Sequence, residues 1–271
     1  MSDPPIPEEI LSHYDAIEEG NRLQSGDGRL EMARTRLLLT RYLPDPPAVV
    51  LDIGGGPGTH AIWLAELGHQ VHLRDIIPKH IDQAIAAATT PLASAAVGDA
   101  RRLDFADGSA DAVLLLGPLY HLTTATDRLA ALGEARRVLP PGGLIAAAAI
   151  SRFASALDGQ WRNFVADPAF FERVTRTLAD GQHRNPTDDP SYFTTAYFHR
   201  PDELAGELAA AGFTDVRVEP VEGIGWIMPD FDARWADPDA RDTILELIEH
   251  TAGVPELLGV SQHLLAFGRR D

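Results

Sequence analysis

The chain has 271 residues, with 23 basic and 40 acidic side chains and a formal net charge of −17, enough length to bury one large core with insertions. A surface that acidic repels phosphate backbones, which excludes nucleic acid as the expected partner. Cysteine is absent, so disulfides, thiolate metal sites and a thiol nucleophile are excluded too.

Through residue 44 apolar positions recur at helical spacing: Ile6, Ile10, Leu11, Tyr14 and Ile17, then Leu37, Leu38 and Tyr42, around a Gly26-Asp27-Gly28 break. This predicts an N-terminal helical segment over 1–44. Pro44-Asp45-Pro46-Pro47 ends it, and Ala48-Val49-Val50-Leu51-Asp52-Ile53 is a short β-branched run suited to a strand buried on both faces. Strands and helices then alternate: a helix over 59–67, a strand over 70–74, a helix over 78–88, strands over 94–97 and 112–116, a helix over 126–139 and a strand over 144–150. Such alternation predicts parallel βαβ units in an α/β, doubly wound sheet with helices on both faces. Between about 151 and 199 the period weakens and aromatic residues scatter, which predicts a lid inserted over the sheet. A helix over 202–211, strands near 215–221 and over 261–268, and a second lid insertion over about 223–259 complete a main domain spanning 45–271.

Lys79, the single lysine, follows no glycine loop, so no GxxxxGK[ST] phosphate site exists. There is no G-x-S-x-G serine elbow, and no His/Asp/Glu set has metal-ligand spacing, so no metal is expected. No apolar run approaches the ~18 residues of a membrane span. The start lacks a signal-peptide pattern, so a cytoplasmic protein away from membranes is expected.

The strongest motif is Asp52-Ile53-Gly54-Gly55-Gly56-Pro57-Gly58, between a predicted strand and a predicted helix. Glycines there bring backbone amides close to a ligand, and the helix N-terminus adds partial positive charge. A dinucleotide fingerprint G-x-G-x-x-G would need glycine or alanine where Thr59 stands. Asp52 suits a ligand carrying an ammonium, and Asp75, 21 residues after Gly54, stands where an acid grips ribose hydroxyls. A nucleoside-type cofactor is therefore expected.

Taken with Gly98-Asp99-Ala100, with Gly117-Pro118-Leu119-Tyr120-His121-Leu122 after the fourth strand, and with Glu134-Ala135-Arg136-Arg137-Val138-Leu139-Pro140-Pro141-Gly142-Gly143, this motif resembles the class I S-adenosylmethionine-dependent methyltransferases. The resemblance covers roughly residues 45–150 and 200–268. It implies a Rossmann-like, seven-stranded sheet of order 3-2-1-4-5-7-6 with the last strand antiparallel, and S-adenosyl-L-methionine as cofactor. By the same resemblance, Asp52 and the amides of Gly54, Gly55 and Gly56 hold the methionine portion and Asp75 the ribose. Ile76 would cover one adenine face, Asp99 with Ala100 the adenine amino edge, and Leu116 would offer its carbonyl to the methionine ammonium. The N-terminal segment would close the cofactor site, with Tyr14 and Arg29 as candidates for the methionine carboxylate.

Methyl transfer from a sulfonium is an in-line displacement that mainly requires positioning and exclusion of water. A hydroxyl or protonated amine acceptor also needs a base, for which His121 is the first candidate and His199 the second. Expected acceptor contacts are Tyr120, His121, Trp161, Tyr192, Tyr197 and Trp226, an aromatic set suited to a small, partly apolar molecule. The expected activity is O- or N-methylation of a small molecule by a monomer or homodimer. The alternative is a protein of the same fold that binds the cofactor without methylating.

Overall fold

The computed structural model describes residues 22–185 and 193–271. Helix α1 (Gly28–Tyr42) leads into β1 (Val49–Ile53), α2 (Thr59–Glu66), β2 (Gln70–Asp75), α3 (Pro78–Ala87) and β3 (Ser94–Val97). There follow β4 (Ala112–Leu115), the short α4 (Pro118–His121), α5 (Ala125–Val138) and β5 (Leu144–Ser151). The first insertion holds α6 (Ala154–Trp161), α7 (Pro168–Asp180), β6 (Gln182–His183) and β7 (Ala196–His199). The chain closes with α8 (Pro201–Ala210), β8 (Phe213–Pro220), α9 (Phe231–Ala236), α10 (Pro238–Ala252), α11 (Pro255–Leu258) and β9 (His263–Arg270).

Seven strands form the expected sheet, in the order β3-β2-β1-β4-β5-β9-β8, with β9 alone antiparallel to its neighbours. Successive strand residues point to opposite faces. Val50, Ala112 and Leu114 therefore join Leu38, Leu64 and Ile81 beneath α1–α3. Leu51, Val113 and Leu115 join Leu132 and Leu204 beneath α5 and α8. Burial on both faces explains why β1 and β4 are continuous apolar runs rather than alternating ones. Each fully buried leucine contributes roughly 1.5–3 kcal/mol of transfer free energy.

Strand β7 meets β5 only at its last two residues, Ile150↔Phe198 and Ser151↔His199. The other edge of β5 is already taken by β9, down to Ile150↔His263. The hairpin β6–β7 thus occupies the β4 edge beyond Leu115, directly over α4. The second insertion packs elsewhere than expected. Trp226, Trp235 and Ile248 bury against Leu30 of α1, and the fully buried Arg34 of α1 pairs with Glu249 of α10. Its aromatic residues form a small core of their own on α1.

Candidate active site

The carboxyl ends of β1, β2 and β4 open onto a cleft of about 320 Å³, at the switch point where the strand order reverses and open α/β sheets bind ligands. Between β1 and α2 the chain turns through Gly54, whose φ is +68° and where a Cβ would lie 2.5 Å from Pro118 Cγ. At Gly55 a Cβ would lie 2.5 Å from Asp52 Oδ2 and 2.6 Å from Leu73 Cδ1. Neither position accepts a side chain, so the bare loop backbone forms the cleft wall. The Gly56 amide donates to Asp75 Oδ2 at 2.9 Å and the Ile77 amide to Asp75 Oδ1 at 2.8 Å, with His80 Nδ1 3.2 Å from the same oxygen.

Asp52 contrasts with this well-bonded partner. It is 1% exposed, yet neither carboxylate oxygen has a hydrogen-bond partner among the described residues. Burial, and after it the charge of Asp75, pushes its pKa up to about 7. A buried carboxylate left without donors is costly, and an ammonium placed in the cleft would relieve it. Farther along, Asp99 accepts from the Arg101 amide at 2.8 Å and from its guanidinium at 2.6 Å, and Arg101 reaches Asp127 at 3.2 Å. Burial opposes ionisation of Asp99, but the Arg101 bonds outweigh it and hold the carboxyl below the usual range.

Every expected cofactor residue from Asp52 onward lines this cleft: Asp52, Gly54 to Gly56, Asp75 and Ile76, and beyond them Asp99, Ala100 and Leu116. Tyr120 and His121 of α4 line it as well. The His121 ring lies edge-on to Tyr120 at 4.7 Å and stacked with Phe193 at 6.1 Å, with Nδ1 3.4 Å from the Thr195 carbonyl oxygen.

The other candidates among the described residues do not line the cleft. Tyr14 and Tyr192 lie outside the described residues. Arg29 pairs with Asp232 and lies 5.7 Å over the Phe231 ring, and the arginines that do line the cleft are Arg22 and Arg101. His199, the last residue of β7, is fully buried and 3.2 Å from Glu207 Oε2, with burial lowering its pKa, and it does not line the cleft. Tyr197 is covered by the Arg128 guanidinium at 3.8 Å from its ring centre. Trp161 is 53% exposed at the end of α6, and Trp226 is buried, its indole N–H donating to the Val260 carbonyl at 2.9 Å. Neither tryptophan lines the cleft. Aromatic content suggested acceptor contacts, but the described rings of these insertions serve cores and ion pairs.

A charged wall went unforeseen. Arg22 donates twice to Glu31 of α1, at 2.6 and 3.0 Å. Glu31 also faces His263 at 3.7 Å, and Glu222, 1% exposed just past β8, lies 2.6 Å from His263 Nδ1. The side-chain oxygens of Glu31 and Glu222 and the His263 nitrogen fall within 4.8 Å of one another. Burial would raise Glu31, but Arg22 and His263 bring it to about 2. His60, in the first turn of α2, is held down to about 4 by burial first and the Arg36 charge second. No spacing signal could have assembled residues so far apart in sequence.

These findings agree with comparisons to known proteins. A sequence model described as a methyltransferase domain matches residues 50–143. The chain is 32% identical over 189 residues to a ubiquinone/menaquinone biosynthesis C-methyltransferase of Acidiphilium cryptum, covering 66% of this chain and 72% of that one. It is 30% identical over 145 residues to the Caulobacter vibrioides protein of that name, covering 49% of this chain and about half (54%) of the relative. Its fold is similar to that of an S-adenosylmethionine-dependent methyltransferase from Mesorhizobium loti, with a TM-score of 0.59 at 21% identity, over 89% of this chain and 100% of the other. The chain belongs to the class I S-adenosylmethionine-dependent methyltransferases. It is an enzyme of that class, and S-adenosylmethionine is its cofactor.

Proposed function

We propose that this methyltransferase acts on a small molecule bearing a hydroxyl on a conjugated ring, and methylates either that oxygen or the ring carbon it activates. The observation that carries this reading is that apolar Leu116, Ala148, Val221 and Leu265 line the same cleft as the rings of Tyr120 and His121. A wall that sets apolar side chains beside aromatic rings suits a planar ring. The net charge of −17 weighs against a nucleic-acid acceptor. Among the described residues no helix is long and apolar enough to cross a membrane.

The sequence favoured oxygen or nitrogen as the methylated atom, whereas the relatives are named C-methyltransferases. A hydroxylated ring reconciles oxygen with carbon, because loss of the hydroxyl proton makes both the oxygen and the adjacent carbon nucleophilic. It does not favour nitrogen.

When bound, the cofactor supplies an electrophilic methyl on a sulfonium. Asp52 would receive the ammonium, Asp75 the ribose hydroxyls, Ile76 one adenine face, and Asp99 with Ala100 the amino edge. The segment before α1 would close this site, with Arg22 taking the carboxylate role first sought in Arg29. Leu23 and Thr35 line the same stretch and help to exclude water. Calorimetry with S-adenosylhomocysteine should give micromolar or tighter binding. Mass spectrometry over a panel of phenols, quinols and amines should find added methyl groups on the hydroxylated rings; methylation of amines alone would overturn the acceptor class.

A further inference from the structure

The charged wall has the makings of proton-transfer machinery. His263 opens β9 opposite Ile150, and two residues on Leu265 pairs with Ala148. His263, Leu265 and Ala148 all line the cleft, on the β5 side rather than at the glycine loop. Glu222 clamps this histidine from behind. Its Oε1 lies 2.6 Å from Nδ1, while Oε2 accepts the His263 backbone N–H at 2.9 Å and the Ser261 hydroxyl at 2.8 Å. The ring is 21% exposed, and among the described residues Nε2 has no hydrogen-bond partner. A buried carboxylate that fixes one imidazole nitrogen leaves the other to exchange protons.

We propose that His263, held by Glu222 as a positioning residue, is the general base that takes the hydroxyl proton of the acceptor, an assignment that rests on the small hydroxylated-ring reading above. The acceptor O–H bond breaks and its proton passes to Nε2. The electron pair left on the acceptor, at oxygen or at the conjugated carbon, forms the new bond to the methyl carbon. The pair of the old carbon–sulfur bond stays on sulfur. If the ring carbon is methylated, its own proton leaves afterwards to restore the ring, and the imidazole returns its proton to solvent.

The groups facing the imidazole are Glu222 from the end of β8, Glu31 from α1 and Arg22 from the segment before it. Burial and Arg22 would lower the His263 pKa, but the two carboxylates outweigh them and raise it to about 9. The neutral, proton-accepting form therefore grows with pH, and kcat/KM should climb to a plateau above about 9. Removing the charge of Glu222 lowers the imidazole pKa, so the rising limb moves to lower pH while the plateau falls.

The test follows S-adenosylhomocysteine release from the intact enzyme with 1,4-dihydroxynaphthalene as acceptor probe, and the His263 ring by NMR in the S-adenosylhomocysteine complex. His263→Gln should lower kcat/KM by ~100-fold or more, with the dissociation constant for S-adenosylhomocysteine changed less than about threefold. Glu222→Gln should shift both the pH limb and the ring titration to lower pH. Glu31→Gln, on the more accessible side, should do the same and serves if Glu222→Gln does not fold. The assignment is overturned by wild-type turnover in His263→Gln, or by a parallel loss of cofactor affinity. An EDTA-sensitive requirement for a divalent cation would also overturn it, because a metal would take the nitrogen that Glu222 holds. If the wild type releases nothing from the probe, the acceptor reading fails and the assignment built on it fails too; if the probe is turned over but the His263 titration stays at its ordinary value and does not move in Glu222→Gln, the assignment alone is overturned.

Discussion

Asp52 and Asp75 lie on the neighbouring parallel strands β1 and β2, and the charge of Asp75 raises the proton affinity of Asp52. The protein satisfies Asp75 with the Gly56 and Ile77 amides and gives Asp52 no described donor. One carboxylate is therefore part of the scaffold, and the other is set against the scaffold until a cation arrives.

Cofactor affinity should depend on pH through Asp52. Protonated below its pKa of about 7, it offers an ammonium no charge. S-adenosylhomocysteine should bind more tightly as pH rises through 7 and displace a proton near pH 6, visible by calorimetry in buffers of different ionisation enthalpy. Asp52→Asn should remove both the pH dependence and the proton release.

The same group predicts the pH dependence of stability without ligand. Its folded pKa is raised, so its favourable contribution is fully present below the unfolded value of 3.8 and is lost as pH climbs through about 7. A rise of that size corresponds to roughly 4 kcal/mol against the ionised form. Urea midpoints of wild type and Asp52→Asn should diverge from pH 4 to pH 8, the variant gaining on the wild type; parallel curves would contradict this.

Gly55→Ala places a methyl against Asp52 and Leu73 and should cost ~1–3 kcal/mol of stability and abolish S-adenosylhomocysteine binding. Gly133→Ala in α5, where a Cβ meets nothing within 4 Å, should be neutral or stabilise by up to ~1 kcal/mol. Thermal melts with and without ligand distinguish the two.

The tryptophans of the insertions should separate cleanly. Trp226→Ala removes a buried ring and its bond to Val260, and should cost ~3–5 kcal/mol. Trp161→Ala should change stability by no more than ~0.5 kcal/mol and leave the acceptor KM unchanged, since that ring faces solvent. A raised KM in the second variant would restore it to the acceptor site.

His199→Gln tests a similar distinction at a buried position. The ring sits in the Arg128–Glu207 ion-pair group, so the substitution should lower the melting temperature while kcat/KM stays within about threefold of wild type. A larger loss of kcat/KM at full stability would return His199 to the chemistry.

The sheet and the cofactor half of the site were legible because their signals are local. A buried strand, a glycine turn and an acid ending the next strand lie within a few dozen residues, and backbone geometry alone brings Asp52, Gly54 and Asp75 together. The β5 side was not legible in this way. Glu31, Glu222 and His263 meet only because β9 returns antiparallel beside β5 and α1 packs across it. Aromatic content misled for a physical reason as well: a ring in an insertion needs somewhere dry, and Trp226 finds it beside Leu30 rather than beside a ligand.

The β6–β7 hairpin joins the sheet at only two residues of β5, beyond the last residue of β4. Its length and composition can therefore drift without breaking the register of any central ladder. The chain just before β7 touches the cleft-lining His121 through Phe193 and the Thr195 carbonyl, so a change there reaches the cleft through that one ring without disturbing a central ladder.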